Sequence, residues 1–316
     1  MWRLILVAAS VGYLGAAEGK PTFEIRGEIL PHAAGAVTLH AVASPFATST
    51  LAGPDGRFRF KNVEAGAYTV SVFVPRRGET RMTINAGPGT ADKKGRIVIQ
   101  VDTHGDALNR ERAATVSARE LRISDRARRE HEEAGRKIAK KDFDGAIASL
   151  ERAVEIEPRF AAAWNHLGTI AYQTRRYAQA ETYFRKGIEA DPDAYEPVVN
   201  LGGVLINLGN FDEAWKYNVE AVLRRPNDAL AQSQLGMTYL LLDKLDLAEK
   251  HLLLARKLDA RHFSHPQLHL AEVYVRKNDL SRAAGQLEDF LRQHPDWPTA
   301  AKMRETIEQW SGRGAK

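Results

Sequence analysis

The spacing of apolar side chains changes once along this chain, near residue 102. Before that point apolar and polar residues alternate in short runs with a period of two, which is typical of β-strands. The runs are TFEIRGEIL, GAVTLHAVA, DGRFRFKNV, GAYTVSVFV, ETRMTINAG and GRIVIQV, and turn-forming residues separate them. From residue 127 onward apolar residues recur three and four positions apart, as on one face of a helix. The pattern predicts a multidomain chain, with a small antiparallel β-sandwich at residues 21–101 followed by an all-α region.

The helical region repeats itself at a fixed interval. Pro158, Pro192 and Pro226 recur every 34 residues. The same interval separates Gly168, Gly202 and Gly236, and also Ala146, Ala180, Ala214 and Ala248. A period of about 34 residues predicts a helix–turn–helix unit, and such units stack because one unit cannot bury its apolar face alone. We expect the small residues to allow close helix crossing, and each proline to end the second helix of a unit.

The unit from Ala161 to Ala194 closely resembles the tetratricopeptide (TPR) repeat. Its signature positions hold Trp164, Leu167, Gly168, Ala180, Phe184 and Pro192. In register with it we predict five repeats, at residues 127–160, 161–194, 195–228, 229–262 and 264–295. The resemblance implies a TPR superhelix, which a capping helix at residues 296–311 would end. We expect the ring of Phe290 to pack against the apolar stripe of this helix, formed by Ala300, Met303, Ile307 and Trp310.

In TPR proteins the first helix of each repeat lines a concave surface, which commonly holds an extended peptide or a partner helix. The resemblance carries this role to Asn165, His166, Thr169, Tyr172, Gln173, Asn200, Ile206, Asn207, Ser233, Gln234, Met237, Leu241, His265, His269 and Glu272. Amide side chains can both donate to and accept from a peptide backbone. These positions are largely neutral, so we predict a neutral peptide or helix as ligand. They do not predict a basic clamp for a terminal carboxylate. The convex side remains an alternative surface.

The segment DGRFRFKNVEAGAYTVSV, residues 55–72, resembles the carboxypeptidase regulatory-like domains. That resemblance implies a prealbumin-like sandwich, usually a non-catalytic appendage, although some relatives of the fold bind carbohydrate. An alternative function is therefore a carbohydrate- or cell-wall-binding protein that contacts glycan through this domain. Exposed aromatic residues on one sheet face would favour it, yet Phe46, Tyr68 and Phe73 could all belong to the core.

Catalytic and metal chemistry finds little support in the residues. The absence of cysteine excludes disulfides and thiolate sites, and no phosphate loop, dinucleotide fingerprint or nucleophile elbow occurs in a suitable context. His265 and His269 are four residues apart and would share a face of a predicted helix, but Glu272 is the only obvious third ligand. We therefore predict no enzyme, no cofactor and no metal site.

The first 17 residues have the layout of a secretory signal peptide. Arg3 precedes an apolar run from Leu4 to Leu14, and small residues follow through Ala17, where cleavage is expected. The run is too short to cross a bilayer as a helix, which needs about 20 residues. An uncleaved anchor and a buried first strand remain alternatives. We expect an exported protein, periplasmic, in the cell envelope or secreted, that does not span a membrane after cleavage.

Residues 102–126 form a basic connector. Glutamates interrupt its arginines and it contains no aromatic residue to stack on bases, and the formal net charge of the chain is only +5, so a nucleic acid partner is not expected. Ser124 or Asp125 is a suitable N-cap for the first repeat helix. The leading hypothesis is an exported, non-enzymatic TPR adaptor that binds a protein partner. Self-assembly through repeat faces is a third possibility, and the oligomeric state stays open.

Overall fold

The structure is a computed structural model, and it describes residues 21–75, 77–103 and 122–313. The predicted signal peptide and most of the predicted connector lie outside the described residues. Within the described ranges the chain forms an N-terminal β-sandwich followed by an array of eleven helices. The fold class predicted from the sequence is therefore confirmed. No helix among the described residues is both long and apolar enough to cross a membrane.

The sandwich contains two small sheets. Its strands in the described ranges are β1 (Thr22–Leu30), β2 (Gly35–Ala41), β3 (Ala47–Ala52), β4 (Arg57–Glu64), β5 (Gly66–Val74), β6 (Gly78–Ala86) and β7 (Arg96–Asp102). The sheets have the orders β4-β1-β7 and β3-β2-β5-β6. Neighbouring strands are antiparallel except for β1 and β7, which are parallel. Six strands coincide with the predicted runs, and β3 is an additional edge strand.

The period of two places alternate side chains between the sheets, where they form the core of the sandwich. Ile25, Val37, Leu39, Val70 and Val72 are completely buried there. The intervening side chains point outward, so one face of the sheet containing β2, β5 and β6 is available to contact another part of the chain.

The helices of the array are α1 (Asp125–Ala139), α2 (Phe143–Ile156), α3 (Ala161–Gln173), α4 (Tyr177–Ala190), α5 (Tyr195–Asn207), α6 (Phe211–Arg224), α7 (Ala229–Leu241), α8 (Leu245–Leu258), α9 (Pro266–Arg276), α10 (Leu280–Gln293) and α11 (Ala300–Arg313). Each predicted repeat contains two consecutive helices, and α11 follows as the last element. Ser124 is the N-cap of α1, and its hydroxyl accepts a hydrogen bond from the Ala127 N–H at 3.4 Å. The connector between β7 and α1 is thus slightly shorter than the predicted 102–126.

Close helix crossings explain the recurring glycines. A Cβ atom on Gly168 would lie 2.5 Å from the ring of Phe184, and one on Gly236 would lie 2.7 Å from Leu252. Both contacts join the two helices of one repeat. At the end of the array Phe290 is completely buried. The four predicted stripe residues of α11 belong to the same buried cluster, namely Ala300, Met303, Ile307 and Trp310.

Candidate partner-binding surface

The first helices of the repeats (α1, α3, α5, α7 and α9) form the surface that we call the groove. Equivalent residues of neighbouring repeats meet along it. Asn200 Nδ2 donates a hydrogen bond to Asn165 Oδ1 at 2.9 Å, and Asn207 Nδ2 donates to the Tyr172 hydroxyl at 3.2 Å. The 34-residue period therefore produces a ladder of amide contacts between repeats. These amides satisfy one another in part, which leaves them fewer hydrogen-bonding atoms for a ligand.

Histidines extend this ladder toward the first repeat. His166 stacks on His131 with parallel rings 4.8 Å apart, and the two share a hydrogen bond of 2.9 Å between Nδ1 of His166 and Nε2 of His131. Burial lowers the pKa of both imidazoles, and that of His131 falls to about 3 with a further contribution from His166. Both rings are therefore neutral near pH 7. Sequence reasoning missed His131, although it lies 35 residues before His166 and hence one repeat away.

The β-sandwich lies along the groove and contacts successive repeats. Gln173 Nε2 donates to the Ala41 carbonyl at 3.3 Å, and Arg81 pairs with Glu196 at 3.7 Å. The Thr83 N–H donates to Asp259 Oδ2 at 3.0 Å. Further along the array Asn85 Nδ2 donates to His294 Nδ1 at 2.8 Å, and the Gly89 N–H donates to Asp296 Oδ2 at 2.8 Å. Near the first repeat, Lys141 forms an ion pair with Glu64.

The contact between the two domains includes polar and charged side chains. Desolvation there, together with Arg81 and His166, lowers the pKa of His40 to about 4. Burial alone would raise the pKa of Glu79, but the guanidinium of Arg81 outweighs it and holds this pKa below its ordinary value. His40, Glu79 and Arg81 all belong to β2 or β6, so the outward sheet face supplies charge to the groove. None of these three residues was among the predicted site residues.

The predicted site residues differ in accessibility. Tyr172 in α3 and Leu241 in α7 are each 38% exposed, and Asn207, at the position of α5 equivalent to Leu241, is also exposed. Ser233 and Gln234 are buried, and Ser233 Oγ accepts a hydrogen bond from Ser264 Oγ at 2.7 Å. The remaining members are partly buried, namely Asn165, His166, Thr169, Gln173, Asn200, Ile206, Met237, His265, His269 and Glu272. All of the predicted set except His265 thus lies on first helices, and only part of it is open to solvent.

His265 and His269 do not share a helical face as the sequence indicated. His265 is the N-cap of α9 with φ of 51°, because Pro266 fixes the start of the helix at the next residue. Its ring packs edge-on against Phe290, His294 and Trp297 at centroid distances of 5.3, 4.9 and 5.0 Å. No group of three or more His, Cys, Asp or Glu residues in the described ranges could hold a metal ion.

Comparison with known proteins identifies the repeats. Family models for the tetratricopeptide repeat match residues 132–195 and 171–233. The TPR repeats predicted from the period are therefore confirmed. The β-sandwich is present, whereas its resemblance to carboxypeptidase regulatory-like domains stays a prediction.

Two curated relatives are named as members of complexes. Anaphase-promoting complex subunit 3 of Schizosaccharomyces pombe is 26% identical over 156 residues, which cover 49% of this chain and 23% of that protein. The BBSome complex member BBS4 homolog of Drosophila melanogaster is 24% identical over 110 residues, which cover 35% of this chain and 23% of that protein. The similarity thus spans about a quarter of each relative, and it supports a protein-interaction scaffold in general terms.

Solved structures share the fold of the array. MamA (residues 41 to the end) from Desulfovibrio magneticus RS-1 is 21% identical with a TM-score of 0.50, covering 56% of this chain and 99% of that one. PilW, described as a type IV pilus biogenesis factor, is 18% identical with a TM-score of 0.50, covering 60% of this chain and 92% of that one. At this identity the likeness concerns fold alone.

Proposed function

We propose that this protein is an exported, non-enzymatic TPR scaffold whose groove binds a protein partner as an extended peptide or a helix. The observation that supports this most directly is the open strip, which we define as Tyr172, Asn207 and Leu241. These residues lie in the last turns of α3, α5 and α7 at positions about one repeat apart. An aromatic ring, an amide and an aliphatic side chain in a row offer apolar contact and hydrogen bonding to a segment that crosses several repeats.

The docked sandwich is consistent with this role. It contacts the junctions between repeats and the rim near Gln173, while the open strip keeps its exposure. The sandwich would thus add a second contact or a spacer for the same partner. Export rests on the signal-like first 17 residues. Sequencing of the mature N-terminus together with cell fractionation tests it, and an intracellular protein beginning at Met1 would contradict it.

The partner is best sought by crosslinking and mass spectrometry on intact cells with the full chain. The groove variant combines Tyr172→Ala with Leu241→Ser, and both side chains are exposed enough for the fold to tolerate the change. The matched control is Leu223→Ser in α6, a second helix, where the side chain is 71% exposed. We expect specific envelope proteins to crosslink to the wild-type and control chains but not to the groove variant.

Equal capture by all three chains, or no capture of envelope proteins by the wild type, would contradict groove binding. The carbohydrate alternative has weaker support, since Tyr68 is buried in the sandwich core and Phe46 packs against it. Of the three aromatic candidates Phe73 has the greatest exposure, 44%. Retention of the full chain on insoluble polysaccharide, lost in Phe73→Ala, would favour that alternative.

A further inference from the structure

Four carboxylates line the junctions between successive repeats on the side that faces β6. We call them the carboxylate column: Glu196, Asp228, Asp259 and Asp296. Glu196 is in the first turn of α5, Asp228 is the N-cap of α7, Asp259 follows α8, and Asp296 precedes α11. The four residues thus place negative charge at successive junctions along the array, at intervals of 32, 31 and 37 residues in the sequence.

Strand β6 and the turn after it engage this column residue by residue. Arg81 lies 3.7 Å from Glu196 and is also attracted by Asp228. The main-chain N–H groups of Thr83 and Gly89 donate to Asp259 and Asp296 at 3.0 and 2.8 Å. The contacts of β6 itself use the guanidinium of Arg81 and the main-chain N–H of Thr83, which an extended strand with a basic side chain supplies. Gly89 lies in the turn after this strand.

The column is not explained by helix capping alone. Asp228 does cap α7, since its Oδ1 accepts from the N–H groups of Leu230 and Ala231. Asp259, however, uses Oδ1 for the Arg261 N–H in its own turn and directs Oδ2 to the N–H of Thr83. The local bond fixes the orientation of the carboxylate, and the second oxygen is available for a strand. Asp296 likewise makes its contact across the domain boundary.

Strand β6 is an edge strand, paired with β5 on one side in the described sheet. Edge strands present unpaired N–H and C=O groups that other chains can bind. Here the carboxylate of Asp259 satisfies an outward N–H of this edge. A strand supplied by another protein could present the same groups to the column, because the recognition uses main-chain atoms and a single charge.

The contact between β6 and the array is incompletely satisfied. The hydroxyl of Thr83, a residue only 2% exposed, has no hydrogen-bond partner among the described residues. The same holds, within those residues, for Oε1 of Gln173 and Nε2 of His294, although both side chains hydrogen-bond to the sandwich through their other polar atom. Glu196 is shared between Arg81 and Arg225, the latter at 3.2 Å. Buried polar groups without partners are costly, so this interface is weaker than a permanent core.

We propose that the carboxylate column is a recognition surface for an extended strand that carries an arginine, and that β6 occupies it as an internal ligand. A protein partner binds by presenting such a strand and displacing the sandwich. This inference rests on the proposed function in taking the partner to be a protein, and it adds the class of segment recognised. It also places the partner on the repeat junctions in addition to the open strip.

The test uses the synthetic peptide GETRMTINA, the sequence of β6, as a labelled probe for the full chain. In the Arg81→Glu chain the internal ligand is weakened, so the column becomes accessible. We expect the peptide to bind this chain about tenfold or more tightly than the wild type, the factor expected if about nine-tenths of the wild-type columns are occupied. A peptide with glutamate in place of arginine should not bind either chain.

Variants of the column separate recognition from folding. Glu196→Ala together with Asp259→Ala in the Arg81→Glu background should abolish peptide binding, because these two carboxylates contact Arg81 and Thr83 of β6, whereas the control Glu189→Ala, exposed on α4, should not change it. Circular dichroism verifies that each chain retains its helices. Small-angle scattering should show a larger radius of gyration for Arg81→Glu than for the wild type, and Glu196→Arg added to Arg81→Glu should restore the smaller value.

The inference is overturned if the peptide binds the column variants as well as the Arg81→Glu chain, or binds none of the chains. It is also overturned if the scattering of Arg81→Glu equals that of the wild type. Its failure differs from failure of the proposed function. Partner crosslinks that depend on the open strip but not on the column would preserve the scaffold and refute strand recognition. Peptide binding to the column without any envelope partner would support strand recognition and refute the proposed scaffold function.

Discussion

Replacing Phe290 by alanine should detach the end of the repeat array. Phe290 is completely buried, and its ring lies 4.5 Å from that of His294, 5.0 Å from that of Trp297 and 5.3 Å from that of His265. Its core cluster also contains the apolar stripe of α11. Removing a fully buried phenylalanine costs about 3–5 kcal/mol, from lost burial and the cavity left behind.

The loss should be local, because each unit of a repeat array contacts only its neighbours. We therefore expect α10 and α11 to open before the central repeats do. The effect should reach the sandwich as well, because His294 both stacks on Phe290 and accepts a hydrogen bond from Asn85 of β6. Hydrogen–deuterium exchange should accelerate in α10, α11 and β6 and stay unchanged in α3–α6.

Urea unfolding followed by circular dichroism supplies the free energy, with Leu223→Ser as a surface control that should change it by less than about 0.5 kcal/mol. A decrease of less than about 1 kcal/mol in the free energy of unfolding of Phe290→Ala would refute the assigned packing, since a cavity of that size destabilises a core by more. Accelerated exchange spread evenly over all repeats would refute the local coupling of the cap.

Three further predictions follow from particular contacts. Gly168→Ala should destabilise the array by about 1–3 kcal/mol in thermal unfolding, because the new Cβ would lie 2.5 Å from the Phe184 ring. The control Gly285→Ala, which has open space around the new Cβ, should be neutral or stabilising by up to about 1 kcal/mol. Ser124→Ala should cost about 0.5–1 kcal/mol in the same assay through loss of the α1 cap, and no change would show that the 3.4 Å contact contributes nothing. Stability should fall as pH drops from about 6.5 toward 4, because burial and Arg261 lower the pKa of His294 to about 4, so the unfolded chain binds the proton that the folded chain excludes. Between pH 7 and pH 5 this amounts to about 1–2 kcal/mol for His294, and His294→Gln should flatten the urea midpoint profile by that amount.

The elements were largely predictable because their patterns are local. The period of two located six strands, and the 34-residue period located the helix pairs. The stripe on α11 was also correct, since helical spacing alone places Met303, Ile307 and Trp310 on one side. Strand β3 was missed because ATSTLA, at the edge of its sheet, carries serine and threonine where an alternating run would have large apolar residues.

The site was less predictable because its contacts are distant in sequence. The Thr83 N–H and the Asp259 carboxylate are 176 residues apart, and a main-chain donor leaves no signature in the side-chain pattern. Asp259 resembles an ordinary turn residue when it is read alone. Assigning groove residues by repeat position selected the first helices, but it could not show that a sandwich from the same chain contacts the array. The roles of the fifteen groove residues stay predictions.

The parallel pairing of β1 and β7 determines how the sandwich responds to tension. Glu24 is level with Arg96 at one end of the pair, and Leu30 with Asp102 at the other. The chain therefore enters the sandwich at Thr22 and leaves it at Asp102 on opposite sides. Pulling these two points apart slides the strands along each other and loads their evenly spaced hydrogen bonds together instead of one after another. A sandwich connected in this way should resist such a pull better than one whose terminal strands separate one hydrogen bond at a time.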